Sequence, residues 1–115
     1  MPEPKRPLIR RFMNELTLTR AIAGITSVAV AFTLIAAALM RLVEPKTYGD
    51  FGTAVWWAAQ TVSTVGYGDN VPESAAGRTL AVIVMLFGIA LVPAITSLVV
   101  AVFLNQQIEA SEHDQ

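Results

Sequence analysis

Two long segments without a charged residue determine what this chain can fold into. Residues 21–40 form the first and residues 79–104 the second, and a helix needs about 20 apolar residues to cross the hydrocarbon core of a bilayer. The chain has 115 residues, of which 54% are hydrophobic and 15% charged, which is too apolar for an ordinary soluble domain. The sequence therefore predicts an all-α membrane protein with transmembrane helices over 20–42 and 79–104.

Basic residues are concentrated before the first apolar segment. Five of the 8 Lys and Arg residues lie among the first twenty residues, and the others are spread over the connection between the two segments. Because cytoplasmic flanks carry the excess of positive charge, we expect a protein of the plasma (inner) membrane with both termini in the cytoplasm. A cleaved signal peptide is disfavoured, since the first apolar segment is long and begins late.

We expect no further domain in the segments at the two ends of this sequence. Residues 1–19 mix basic and apolar side chains at near-helical spacing, which is typical of an interfacial helix on anionic lipid but also of a basic terminus that only sets orientation. Residues 105–115 are expected to be a short cytoplasmic tail. We expect the lipid bilayer as a partner, no nucleic acid and no cofactor, and the absence of cysteine excludes a thiolate metal site.

The connection at residues 43–78 is too long for a tight turn and too apolar for a free loop. Turn residues at its start predict an exposed turret. Asp50 can cap a helix at residues 51–63, and no helix breaker interrupts residues 53–62. At about 18 Å this helix is too short to cross the membrane. We therefore expect a re-entrant helix, which enters the membrane and returns to the same side.

The sequence Thr-Val-Gly-Tyr-Gly-Asp follows this short helix at residues 64–69. Aligning successive carbonyl groups on one side of an extended chain requires alternating right- and left-handed backbone, and Gly66 and Gly68 adopt the left-handed form at little cost. A file of carbonyl oxygens, with the Thr64 hydroxyl below it, suits a dehydrated potassium ion. Since one chain offers one oxygen per layer, full coordination requires a homotetramer around one axis.

Residues 64–69, which we call the filter, and their surroundings closely resemble the pore of tetrameric potassium channels, in particular the prokaryotic type with two transmembrane helices. The resemblance extends from about residue 21 to residue 104, and the filter motif matches at every position. It implies a potassium-selective homotetramer, with the tyrosine associated with preference for potassium over sodium. The residues that it implies for potassium coordination are Thr64, Val65, Gly66 and Tyr67, with Gly68 at the mouth.

The resemblance also implies supporting roles behind the filter. It predicts a hydrogen bond from Trp56 to Asp69, and another between Tyr67 and Trp57 of a neighbouring helix. Gln60 occupies a position where some relatives carry a carboxylate, and we expect its side chain to project toward Asp69. Because an amide both donates and accepts, no shared proton is needed, and the filter should depend less on pH than in those relatives.

The second transmembrane helix contains Gly88 and Pro93, two residue types that bend membrane helices. Pro93 lacks an N–H group and clashes with the carbonyl four residues earlier, and Gly88 aligns with the hinge glycine of the family. If this helix is the inner one, it lines the cavity and forms a hydrophobic constriction at its cytoplasmic end. The expected cavity residues are Ile89, Val92 and Thr96, and the expected gate residues are Val100, Phe103 and Leu104.

Other interpretations stay open from sequence alone. The same scaffold could form a nonselective cation channel, although Tyr67 argues against this. The chain could be a nonconducting two-span membrane subunit, which would leave the burial of the filter loop unexplained, or the pore module of a longer voltage-sensing channel. An enzyme is disfavoured, because the apolar segments carry no paired carboxylates and no nucleophile beside a base.

Overall fold

The computed structural model describes the backbone of residues 8–113 and the side chains of residues 16–112. Three helices follow one another in the order α1 (Leu8–Val43), α2 (Phe51–Val62) and α3 (Ala75–His113). Both α1 and α3 are long and apolar enough to cross a membrane, and the short α2 lies between them in the chain. The structure is an α-helical hairpin with a third, shorter helix inserted at its turn.

Both long helices extend past the ends that hydropathy predicts. α1 begins at Leu8, so the basic segment and the first span form one continuous helix rather than two elements. α3 continues past Leu104 to His113, where we expected a separate tail. Residues 8–19 and 105–113, which form these two extensions, contain no Gly or Pro, so nothing interrupts the hydrogen-bond ladder there. The anionic-lipid contacts expected near the N-terminus involve side chains of residues 1–15, which lie outside the described residues.

One core holds α2 between the two long helices. Half of its members are alanines, and small side chains let helix backbones approach closely in a membrane protein. Phe32 of α1 and Phe87 of α3 add a direct link, with ring centroids 5.0 Å apart. This packing fixes α2 against both spans. The buried apolar residues are Ala36, Ala37, Met40, Tyr48, Ala54, Trp57, Ala58, Val62, Ala81 and Val84.

Asp50 lies at the N-cap position of α2, but its side chain does not cap the helix. The backbone is extended there (φ −102°, ψ 130°), and the carboxylate accepts no capping hydrogen bond. One carboxylate oxygen instead accepts the Thr53 hydroxyl at 3.5 Å. Asp50 therefore lies at the predicted N-cap position. The prediction that its carboxylate caps the helix is wrong, because the carboxylate is turned toward the Thr53 side chain.

Glu44 joins the end of α1 to the start of α3, a contact that sequence reasoning missed. Its buried Oε1 accepts hydrogen bonds from the backbone N–H groups of Glu73 at 2.8 Å and Ser74 at 3.0 Å. Oε2 contacts Gly77, where any side chain would collide with it. A carboxylate is also favoured at the positive N-terminal end of a helix. Glu44 thereby fixes the positions of the two spans relative to each other at this end of the hairpin.

Tyr48 fills the space between this contact and α2. Its side chain is fully buried, and its ring centroid lies 5.8 Å from that of Trp57. Burial, and after it the negative charge of Glu44, raises the pKa of Tyr48 to about 12. The phenol therefore stays neutral to a higher pH than that of an exposed tyrosine.

We predict that Glu44→Gln lowers the free energy of unfolding by about 1–2 kcal/mol, because neutral hydrogen bonds replace two that are charge-assisted. Thermal unfolding of the purified protein in detergent measures the change. Glu73→Gln is the matched control, since the Glu73 side chain is exposed and its backbone N–H is retained. Equal melting temperatures for the two variants would contradict the role of Glu44.

Candidate ion filter

The loop after α2 alternates between left-handed and ordinary backbone. Gly66 and Gly68 have φ values of 57° and 81°, and Thr64 has a φ of 67°. The alternation inferred from the two glycines is thus present and begins one residue pair earlier. A left-handed β-branched residue costs about 1–3 kcal/mol and persists only where its surroundings hold it. The only signal in the sequence for Thr64 is its place two residues before Gly66.

Gln60 of α2 binds this loop at three points, and its side chain is buried. Its backbone carbonyl accepts the N–H of Gly66 at 3.0 Å. Its side-chain Oε1 accepts the N–H of Gly68 at 3.4 Å, and its Nε2 donates to Oδ1 of Asp69 at 2.8 Å. One residue therefore fixes the middle, the upper part and the end of the loop, and its side chain has the direction that the sequence predicts.

Asp69 is bound through both carboxylate oxygens. Trp56 Nε1 donates to Oδ2 at 2.8 Å, which is the hydrogen bond expected from the sequence. The hydrogen bond from Gln60, followed by that from Trp56, lowers the pKa of Asp69 below its usual value. The stability that these two contacts contribute is therefore fully present above about pH 4 and is lost as the pH falls through the lowered pKa.

The two tryptophans occupy different environments. The Trp56 ring stacks on Tyr67, with centroids 5.8 Å apart and planes within 9°. Trp57 is buried against Tyr48 within the same chain. Tyr67 is 69% exposed in the single chain, so its ring has a large free surface. The hydrogen bond that the resemblance implies between Tyr67 and Trp57 of a neighbouring helix stays a prediction.

Hydrogen bonds connect the end of α2 to the first residue of the filter. Ser63 is the C-cap residue, and its N–H donates to the Ala59 carbonyl at 3.0 Å. The Thr64 N–H donates to the Thr61 carbonyl at 3.2 Å. The Thr61 hydroxyl in turn donates to the Trp57 carbonyl at 2.7 Å. The first filter residue is therefore tied to the last turn of the helix.

The expected cavity and gate residues share one side of α3. At about 100° per residue they fall within about 120° of one another, whereas Val84, Phe87 and Leu91, which contact the core or Phe32, lie on the other side. All except Val92 are exposed in the single chain. This side of α3 is therefore available to line a pore. Its residues are Ile89, Val92, Thr96, Val100, Phe103 and Leu104.

Gly88 and Pro93 both lie inside the continuous helix α3. Gly88 is buried against the end of α2. After the proline, the Ser97 hydroxyl donates to the Pro93 carbonyl at 2.7 Å, and the Thr96 hydroxyl donates to the Val92 carbonyl at 2.9 Å. Such bonds to preceding carbonyls often accompany helix bending. The kink that Pro93 predicts near Ile89 and Ala90 stays a prediction.

The model of a family described as ion channel matches residues 18–105, which include both spans and the filter. The chain belongs to this ion channel family. It is 46% identical over 76 residues to a cyclic nucleotide-gated potassium channel of Rhizobium etli, covering 62% of this chain and 21% of that protein. It is 39% identical over 69 residues to a calcium-gated potassium channel of Thermoplasma volcanium, covering 60% and 20%. The chain thus spans about a fifth of the length of these curated relatives.

Two solved structures of a voltage-gated K+ channel pore, each in a closed state in lipid membranes, are similar to this chain. The pore domain is 40% identical with a TM-score of 0.61, covering 71% of this chain and 94% of that one. The pore module in a tetragonal crystal form is 37% identical with a TM-score of 0.65, covering 77% and 97%. The predicted potassium-channel pore fold of an integral membrane protein is confirmed.

We predict that Gln60→Glu makes the filter sensitive to pH. The substitution places a second carboxyl group beside Asp69, and because like charges this close oppose joint ionisation, one proton is retained toward neutral pH. Carbon-13 NMR titration of the Asp69 carboxyl tests this. In the native protein the signal should stay that of a carboxylate down to about pH 4.

Gln106→Glu is the matched control, since it adds the same charge at an exposed position of α3. It should leave the Asp69 titration unchanged. An Asp69 signal that titrates identically in native protein and Gln60→Glu would contradict the coupling between these two positions.

Proposed function

We propose that four copies of this chain assemble around one axis as a homotetramer and form a potassium-selective pore for passive ion flux. The observation that carries the proposal is the alternation of left-handed backbone at Thr64, Gly66 and Gly68, which can turn successive carbonyl oxygens toward one side. One chain supplies one oxygen per layer, whereas a dehydrated potassium ion needs a full shell of oxygens. Four chains satisfy that requirement.

In the proposed tetramer, potassium exchanges its water for oxygen atoms of residues 64–67. The carbonyl groups of Thr64, Val65, Gly66 and Tyr67 provide the layers, with the Thr64 hydroxyl at the inner end and Gly68 at the mouth. Contacts of Gln60 and Trp56 with Asp69 hold the loop against collapse. These contacts lie behind the filter. The ion itself is coordinated by backbone carbonyl oxygens, so the ion path needs no charged side chain.

The cation also experiences the helices around the filter. The C-terminal end of α2 is the negative end of its dipole, which favours a cation in the cavity below the filter. Basic residues near the N-terminus support an orientation with both termini in the cytoplasm. In that orientation the filter mouth faces outward, and the end of α3 that contains Val100 lies at the cytoplasmic entrance.

Reconstitution into liposomes with a potassium gradient tests the proposed function. We expect potassium flux that clearly exceeds sodium flux. Tyr67→Asp removes the ring that stacks on Trp56 and should admit sodium, whereas the matched variant Tyr67→Phe keeps the ring and should keep the preference.

The native protein in the same assay separates the competing functions. Equal potassium and sodium flux would favour a nonselective cation channel. No potassium flux at any internal pH would favour a nonconducting membrane subunit.

We predict that Val100→Asp holds the pore open. A ring of four carboxylates keeps a narrow apolar constriction hydrated and prevents closure by dewetting. Flux under conditions where native liposomes are closed should rise by about tenfold or more, as is expected if the constriction contributes at least about 1.4 kcal/mol to the closed state. Leu98→Asp is the control, since it lies about 160° around the helix from Val100, on the side opposite the expected pore-lining residues. A Val100→Asp channel that closes fully would remove Val100 from the gate.

A further inference from the structure

The backbone of α3 packs directly on the last residue of α2 at Gly88. The glycine is buried. A Cβ atom at this position would lie 2.7 Å from the carbonyl oxygen of Val62, 3.2 Å from its Cα and 3.3 Å from its carbonyl carbon. All three atoms belong to the backbone, which has no flexible end that can move aside. Even an alanine at position 88 would therefore displace the end of α2 or α3 itself.

The segment that such a displacement would move leads into the filter. Val62 ends α2, and Thr64 follows two residues later with its left-handed backbone. The N–H groups of Ser63 and Thr64 donate hydrogen bonds to the last turn of α2. These bonds fix the position of Thr64 relative to Val62. A shift of the Val62 carbonyl therefore reaches the innermost residue of the proposed potassium path.

The requirement for glycine here is one of space. Gly88 lies inside a continuous helix and is not among the residues with positive φ, which include Gly66 and Gly68. Gly24 of α1 provides the comparison, since it is also helical but has no atom within 4 Å of a Cβ at its position. The two helical glycines thus differ in what surrounds them.

We propose that Gly88 is a positioning residue for the filter, in addition to the hinge role that the sequence predicts. Its missing side chain lets α3 seat the Val62 carbonyl, and this contact sets the position of the ion-binding oxygen atoms of Thr64. The inference rests on the proposed function, because it requires that the filter binds potassium. It predicts that a larger residue weakens potassium binding while the cytoplasmic gate stays closed.

Calorimetric titration of the closed channel with potassium tests this inference. We expect Gly88→Ala to bind potassium about tenfold or more weakly, as overpacking by one methyl group at a rigid contact implies. Gly24→Ala is the matched control and should bind as the native protein does. The two substitutions change helix propensity equally, so a difference between them reports the contact with Val62.

A second readout separates positioning from general damage. Thermal unfolding is measured in sodium and in potassium for the native protein and both variants. A merely structural role lowers the Gly88→Ala midpoint equally in both salts, whereas a positioning role reduces the extra stabilisation that potassium gives. Native potassium affinity in Gly88→Ala, with only the open probability changed, would overturn the inference and leave a hinge alone.

The native protein provides a test if Gly88→Ala does not fold. Replacing potassium with sodium should shift the solid-state NMR signals of the Val62 carbonyl and the Gly88 Cα, but not those of Gly24. Unchanged Gly88 signals would overturn this inference and leave the proposed function intact. A native protein that binds no potassium at all would overturn the proposed function, and with it this inference.

Discussion

Gln60 supplies the contacts on which the filter geometry depends. Within residues 8–113 the loop pairs with no strand, and Thr64 adopts a backbone that costs free energy. Irregular backbone is tolerated at membrane depth only where protein or water surrounds it. Gln60 binds Gly66, Gly68 and Asp69 together. Its position depends in turn on α2, which the alanine-rich core holds between the two spans.

Features encoded over short stretches of the chain could be predicted from the sequence. The two spans follow from uncharged segments, and the left-handed positions 66 and 68 follow from glycines two residues apart. The contact of Trp56 with Asp69 came from the family resemblance. The helix ends could not be found from hydropathy, because polar residues without Gly or Pro continue a helix as readily as apolar ones.

Contacts between distant parts of the chain could not be predicted in the same way. Glu44 lies thirty residues before Ser74, and no periodicity links a carboxylate to backbone N–H groups that far apart. The glycines illustrate the same limit. Gly66 and Gly68 adopt a left-handed backbone conformation, which a local motif reveals. Gly77 and Gly88 instead leave room for atoms from a distant part of the chain. That second use appears only when the helices are packed together.

Crystals of the assembled channel soaked in thallium, an electron-rich substitute for potassium, test most directly whether these loops form one ion path. Four chains should surround a single axis, with anomalous density on that axis at the levels of Thr64, Val65, Gly66 and Tyr67. Replacement of thallium by sodium should remove the density. An assembly without fourfold symmetry, or thallium bound only away from these residues, would contradict the proposed filter.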